Sequence, residues 1–223
     1  FKIGLNALTK LTSGSVHLVY RQNSSASSFT NAFGVEKHTA EGPHPISNSS
    51  VHIQQIDPIG TANDVVWTLN VLDVVAIGYL LLSGRYHIDR VISIAGPGIL
   101  SGKTGYFKLR QGYPISALVS GRLPKDPVRL ISGDPLMGSK VESNEFMKQN
   151  TTVFCAIPEN TEREFLHFFR LGLNKYTFSR AYLSGHLDNS DRFYDFTTSL
   201  HGEHRPFIDS SLYDKLMPLN VPT

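Results

Sequence analysis

The stretch ISIAGPGILSGKTG, residues 92–105, sets the fold of the middle of the chain, because a strand-like pattern runs there into a glycine-rich loop. A phosphate-binding P-loop needs Gly-x-x-x-x-Gly-Lys-Ser/Thr opening directly into a helix. Counting back from Gly102, its first glycine would stand at Pro97, which has no N–H to donate. The next segment, GYFKLR at 105–110, alternates apolar and polar side chains as a strand does. We therefore predict a hairpin without a nucleotide site, with Lys103 exposed in its turn.

Residues 90–141 have the pattern of a small module built around that hairpin. A brief helical piece, ISALVSG at 115–121, follows the hairpin, and the strand PVRLISG at 127–133 comes next. A hairpin, a short crossing helix and a returning strand are the layout of a compact β-grasp module. We predict that fold for residues 90–141.

The first 89 residues mix helical and strand patterns. Strands that alternate with crossover helices favour a parallel, doubly wound sheet, of which this part would form the second half. The fold class is therefore α/β for this part and α+β for the module that follows. Helices are predicted up to residue 13 and at 65–82, and strands at 15–21, 34–38 and 51–56.

The longest apolar run, residues 65–82, reads as a buried helix and not as a membrane span. Asn70 and Asp73 lie inside it, and an Asp near the middle of a membrane costs about 3 kcal/mol. Thr61 and Asp64 precede the run in an arrangement resembling a capping box, and Gly84 follows it as a C-cap. We predict no transmembrane segment.

Composition excludes several classes of protein. The 223 residues carry a net charge of only +2, which argues against nucleic acid as a partner. The single cysteine, Cys155, excludes an internal disulfide and a cysteine-rich zinc or iron–sulfur site within the chain. The absence of a signal peptide and of a cysteine pair favours a cytosolic environment. The helix-like start at Phe1 suggests a piece of a longer chain.

Residue patterns identify no catalytic residue and no metal site. His201 and His204 have His-x-x-His spacing in a Gly/Pro-rich loop without a third ligand, so a solvated loop is the preferred interpretation. His44 stands between two prolines, which either present its imidazole as a donor or general base or shape a turn; we favour the turn. No Gly-x-Ser-x-Gly elbow is present.

Residues 142–223 are predicted to be a mixed α/β segment. It contains an apolar strand, TTVFCAIP at 151–158, followed by a stretch dense in aromatic residues between 165 and 194. Aromatic residues at this density are more typical of a core than of a ligand-binding site.

Six segments in a fixed order carry a resemblance to a known family. Their order resembles the NqrA family, a subunit of the bacterial Na⁺-translocating NADH:quinone oxidoreductases (Na⁺-NQR), over nearly the whole chain. The segments are EGPHPI (41–46), DVVWTLNVLDVVAIGYLLLSGRY (64–86), RVISIAGPGI (90–99), VRLISGDPLMG (128–138), NKYTFSRAYLSGHL (174–187) and YDKLMPLNVPT (213–223).

The resemblance implies a domain order. Residues 1–89 would form the second half of a Rossmann-like domain, and residues 90–141 a β-grasp module of the soluble-ligand-binding (SLBB) type. Residues 142–223 would lead towards a C-terminal helical domain that the fragment lacks.

The resemblance also implies a function. The parent complex oxidises NADH, passes electrons through flavins and iron–sulfur centres in other subunits to ubiquinone, and exports sodium. The NqrA subunit would be cofactor-free and peripheral, on the cytoplasmic side of the inner membrane, and soluble when isolated. Its partners would be the other subunits, especially the membrane subunit on the quinone side.

A quinone site needs an apolar cleft with one or two hydrogen-bond donors for the carbonyl oxygens. The candidates in this chain are His44 and Trp67, both within segments that carry the resemblance, although each also fits as a turn or packing residue. The alternative function is a pure interaction scaffold without a small-molecule site, which predicts large exposed apolar patches.

Overall fold

The structure is a computed structural model that describes residues 1–161, 170–173, 175 and 193–199. Contacts divide the chain into two compact units with a boundary between Ile88 and Asp89. The expectations for the aromatic-rich stretch, apart from residues 193 and 194, and for His201 and His204 lie outside the described residues.

The first unit contains a pair of strands and four helices. In chain order these are α1 (Lys2–Leu11), β1 (His17–Arg21), α2 (Ser27–Thr30), β2 (Glu36–Ala40), α3 (Ser49–Ile56) and α4 (Val71–Ser83).

Strands β1 and β2 pair in parallel, in the register His17 to Glu36 through Arg21 to Ala40. Leu5 of α1, Ala32 and Val74 of α4 form the buried core of this unit. The sequence prediction of strands at 15–21 and 34–38 is thus confirmed, within two residues at each end.

Helices α1 and α4 cross at two glycines. A Cβ added to Gly78 would lie 2.9 Å from the backbone nitrogen of Gly4, and one added to Gly4 would overlap the carbonyl oxygen of Val74. Only residues without a Cβ allow this approach, so the pair of glycines determines how closely the two helices pack.

The predicted strand at 51–56 is wrong, because these residues form helix α3. Its first turn is set by Asn48, whose carbonyl oxygen accepts hydrogen bonds from the backbone N–H groups of Val51 and His52 at 3.1 and 3.3 Å. The run VHIQQI is too short for its apolar pattern to distinguish a strand from a helix.

Helix α4 begins later than the sequence predicts. Asn70 caps it, accepting hydrogen bonds from the backbone N–H groups of Leu72 and Asp73 at 2.9 and 3.1 Å, and Gly84 ends it in the left-handed conformation as predicted. The capping-box prediction is wrong: Asp64 bonds instead to Gly60 and Thr61, which closes a separate turn. Within the described part of the chain, no helix has the length and apolar character that crossing a membrane requires.

The second unit is built on a five-stranded mixed sheet with one short helix. The strand order is β4-β3-β7-β5-β6, with β3 and β7 parallel and the other neighbours antiparallel. The elements are β3 (Asp89–Ala95), β4 (Gly105–Arg110), α5 (Ile115–Val119), β5 (Val128–Ser132), β6 (Ser139–Val141) and β7 (Val153–Pro158).

The predicted hairpin at 92–105 is confirmed, since β3 and β4 pair antiparallel and no helix follows Lys103. The backbone N–H of Lys103 donates to the carbonyl oxygen of Leu100 at 3.0 Å within the turn. Gly102 lies there with a φ of 74°, in the left-handed region.

The core of the second unit is centred on β7. Phe154 is fully buried and packs with Ile94 of β3 and with Ile115 and Leu118 of α5. Sequence analysis placed this strand in a segment beginning at residue 142, yet it lies between β3 and β5 of the same sheet. The sheet therefore continues beyond residue 141.

The glycines of the AGPGI stretch are explained by β7. A Cβ at Gly98 would lie 2.9 Å from the carbonyl carbon of Ala156, and the backbone N–H of Gly98 donates to the carbonyl oxygen of Ala156 at 2.8 Å. Glycine is needed here for backbone contact with a neighbouring strand.

Candidate functional site

Two histidines and a glutamate meet on one face of the β1–β2 pair. His17 is the first residue of β1 and is in register with Glu36, the first residue of β2, while His38 follows two residues later. Because side chains alternate between the faces of a strand, Glu36 and His38 point to the same side as His17.

The polar atoms of these three residues converge. Nδ1 of His17 lies 3.1 Å from Nε2 of His38 and 3.4 Å from Oε2 of Glu36. One ligand atom from each residue lies within 4.8 Å of the other two. The rings of the two histidines are 5.3 Å apart, centre to centre.

The surroundings of the cluster orient it and leave it accessible. The hydroxyl of Ser15 donates a 2.7 Å hydrogen bond to Oε1 of Glu36, which leaves Oε2 turned to the imidazoles. The side chain of His17 is 24% exposed and that of Glu36 is 58% exposed. Two imidazole nitrogens and a carboxylate form a ligand set that suits a transition metal ion.

Sequence analysis missed this cluster, although a signal for it was present. Glu36 and His38 are spaced two apart on a predicted strand, and His17 begins another predicted strand. Only the parallel register of those strands shows that the three residues meet.

His44 and Trp67, the candidates for quinone contact, are both exposed in the first unit. His44 lies in a turn in which the backbone N–H of Ile46 donates to the carbonyl oxygen of Pro43 at 3.0 Å. Trp67 is 79% exposed, which makes it a surface residue and not a packing residue.

Trp67 belongs to an exposed apolar segment ahead of α4. We call residues 65–71 the apolar segment; it has no helical or strand structure before residue 71. Its large side chains are 43–80% exposed: Val65, Val66, Trp67, Leu69 and Val71. Such a concentration of exposed apolar side chains is typical of a contact surface.

A shallow polar depression lies at the carboxyl ends of the same two strands. Arg21, the last residue of β1, and Glu41, which follows β2, line it together with residues 22–25. Ligands of parallel α/β sheets bind outside the carboxyl ends of the strands, so this edge is the expected one for a small molecule.

Cys155 lacks the environment of a reactive thiol. It is 4% exposed, and burial, aided by the charge of Asp134, raises the pKa of its thiol. A raised pKa lowers the fraction of thiolate, the reactive form, at neutral pH.

The sheets and helices of the two units together define a mixed α/β protein with two consecutive folding units. Two family descriptions match the chain in order: "NqrA second alpha/beta domain" over residues 1–86 and "NQRA C-terminal domain", of the SLBB type, over residues 91–143. The chain therefore belongs to the NqrA family.

Curated relatives align with the entire chain or all but 1% of it. Proteins named as the NqrA subunit of Na⁺-translocating NADH-quinone reductase are 35% identical in Chlamydia pneumoniae, 35% in Hahella chejuensis and 34% in Saccharophagus degradans. The alignments cover 99–100% of this chain and 48% of each relative. The chain thus spans about half the length of the curated relatives it matches.

Proposed function

We propose that this chain acts as part of the NqrA subunit of a Na⁺-translocating NADH–quinone reductase, an oxidoreductase complex. The observation that carries the proposal is the alignment of the chain with relatives of that name, together with two domains of one family in the same order. Its partners are then the other subunits, especially the membrane subunit on the quinone side.

The fold details of the family belong to the same proposal. The parallel β1–β2 pair supports assigning the first unit to the second half of a Rossmann-like domain. In the second unit, a hairpin, a helix, a second antiparallel pair and a final central strand support a β-grasp module. That module extends to Pro158, since β7 supplies its central strand.

Within the complex, we place this chain on the cytoplasmic face of the inner membrane, in a peripheral, cofactor-free subunit. NADH, flavins and iron–sulfur centres are then handled by other subunits. The resemblance of the chain to its family is the support for this role.

Quinone contact is assigned to His44 and Trp67. An imidazole N–H can donate to a quinone carbonyl, and an indole can stack on the ring. Both side chains are exposed in the first unit and are therefore accessible to a ligand.

The fluorescence of Trp67 tests quinone contact directly, because it is the single tryptophan of the chain. Titration with a short-chain ubiquinone is expected to give saturable quenching. His44→Ala should weaken the apparent affinity by about fivefold if both residues share a site, the range expected for one lost hydrogen bond. N-acetyltryptophanamide serves as the control for collisional quenching. Linear quenching with the slope of that free amide would contradict quinone binding near Trp67.

The exposed apolar segment favours a second candidate function, a docking surface for another subunit. In cells that assemble the complex, the full-length NqrA protein with Trp67→Ser should co-purify with less than half the usual amount of partner subunits. Phe33→Ser is the matched control, because Phe33 is an exposed aromatic residue outside the segment. Equal co-purification of both variants and of the unaltered protein would contradict docking through this segment, whatever the quinone experiment shows.

A further inference from the structure

We propose that His17, Glu36 and His38 form a zinc-binding site on the β1–β2 pair. Nδ1 of His17, Nε2 of His38 and Oε2 of Glu36 supply three ligands, and water completes the coordination. Two imidazoles and one carboxylate are a ligand set that binds Zn²⁺.

The spacing of the ligand atoms agrees with tetrahedral coordination. Ligands at 2.0–2.1 Å from a tetrahedral zinc ion are about 3.3 Å from one another. Nδ1 of His17 lies 3.1 Å from the His38 nitrogen and 3.4 Å from the Glu36 oxygen. Glu36 is more than half exposed, so its side chain is free to adjust the remaining distance.

Hydrogen bonding alone satisfies these groups incompletely. Nδ1 of His17 carries at most one proton, yet both Nε2 of His38 and Oε2 of Glu36 lie near it. That proton cannot point well at two acceptors on different residues. A cation between the three atoms engages one lone pair of each.

The strands organise the site before a metal ion binds. The parallel register fixes the relative positions of His17, Glu36 and His38, and Ser15 holds the carboxylate through Oε1. Hydrogen bonds of this kind to ligating groups orient them and raise metal affinity.

A metal ion here would cross-link two strands that need support. A two-stranded sheet is marginally stable alone, and parallel pairing is slightly weaker per residue than antiparallel pairing. His17 and His38 are 21 residues apart in sequence, so the ion would close a loop between the two strands.

The test uses the chain freed of metal by a chelator and titrated with Zn²⁺ in a calorimeter. We expect one equivalent of zinc at this site, and Co²⁺ as a probe should give the visible absorption of a tetrahedral complex. Zinc at a hundredfold excess over its dissociation constant should raise the melting temperature of the first unit by about 10 °C.

Three variants make the result specific. Glu36→Gln and His38→Gln should each weaken zinc binding at least tenfold while leaving the melting temperature of the metal-free chain nearly unchanged. His52→Gln is the control, because His52 contacts the carbonyl oxygen of Ile46 through Nε2, a contact that the Gln amide can keep, and should bind zinc as before. Absence of zinc binding, or binding of unchanged strength in Glu36→Gln and His38→Gln, would overturn the proposal.

Discussion

Glu159 follows β7 and holds the best-formed ion pair in the second unit's described part. Its carboxylate accepts two hydrogen bonds from the Arg129 guanidinium, at 2.6 and 3.0 Å, and a third from the hydroxyl of Thr198 at 3.0 Å. The bonds from Arg129, followed by the bond from Thr198, lower the pKa of Glu159. Because both side chains of the pair are partly exposed, solvent screens much of this interaction.

This lowered pKa predicts a pH-dependent contribution to stability. A carboxyl group whose pKa is depressed by folding stabilises the protein above its unfolded-state pKa, near 4.5, and loses that effect as pH falls through the folded-state pKa. Glu159→Gln should therefore lower the free energy of unfolding by about 1 kcal/mol at pH 7 and have no effect near pH 2. Urea unfolding at a series of pH values measures the difference.

The matched control is Glu142→Gln, since Glu142 pairs with Lys140 where both side chains are more than 60% exposed. It should change the free energy of unfolding by less than about 0.5 kcal/mol at pH 7. A pH-independent effect of Glu159→Gln would show that the lost charge is not its cause.

Among the secondary-structure elements, the start of α4 depends on Asn70. Its side chain accepts two backbone hydrogen bonds in the first turn of the helix. Asn70→Ala should lower the free energy of unfolding of the first unit by about 1 kcal/mol, because these donors lose their partner. Chemical denaturation measures this loss. Thr61→Ala is the control for the cap position predicted from sequence, and a larger loss in that variant would contradict the cap at Asn70.

The crossing of α1 and α4 predicts an unusual response to alanine. In a solvent-exposed helix, Gly→Ala stabilises, but at Gly4 the added methyl group would overlap the Val74 carbonyl oxygen. Gly4→Ala should therefore destabilise the first unit by about 1–3 kcal/mol. Denaturant unfolding measures the change.

Gly14→Ala provides the comparison, because a Cβ there would lie 3.6 Å from the nearest atom, the Oγ1 of Thr12, in ordinary contact. Its effect should stay within about 1 kcal/mol of zero. Similar effects of the two substitutions would show that the helices do not approach at Gly4.

Across the molecule as a whole, the two units have separate cores. One core contains Phe154 and the residues around β7, and the other contains Leu5, Ala32 and Val74. Phe154→Ala should destabilise the second unit by about 3–5 kcal/mol, because it opens a cavity at a fully buried position. Hydrogen exchange should accelerate in β3 and β5 and stay unchanged in β1 and β2.

Phe146→Ala tests the same substitution at a phenylalanine that is 63% exposed. It should leave exchange in both units nearly unchanged. Accelerated exchange in β1 and β2 of Phe154→Ala would contradict the independence of the two cores.

The local features of this protein could be predicted from its sequence. The absent glycine at Pro97 and the alternation in GYFKLR identified the β3–β4 hairpin, and Gly84 identified the end of α4. These features depend on residues close together in the chain, whose backbone preferences act locally. The family was also visible in sequence, from six ordered segments.

Tertiary contacts establish what distant residues do together. Only the sheet places β7 beside β3, and that contact explains Gly98. Only the parallel register brings His17 to Glu36 and His38, because pairing across 21 residues leaves no periodic trace in the sequence. The helix at 51–56 was missed for a related reason: a six-residue apolar pattern suits either structure, and the hydrogen bonds to the Asn48 carbonyl select the helix.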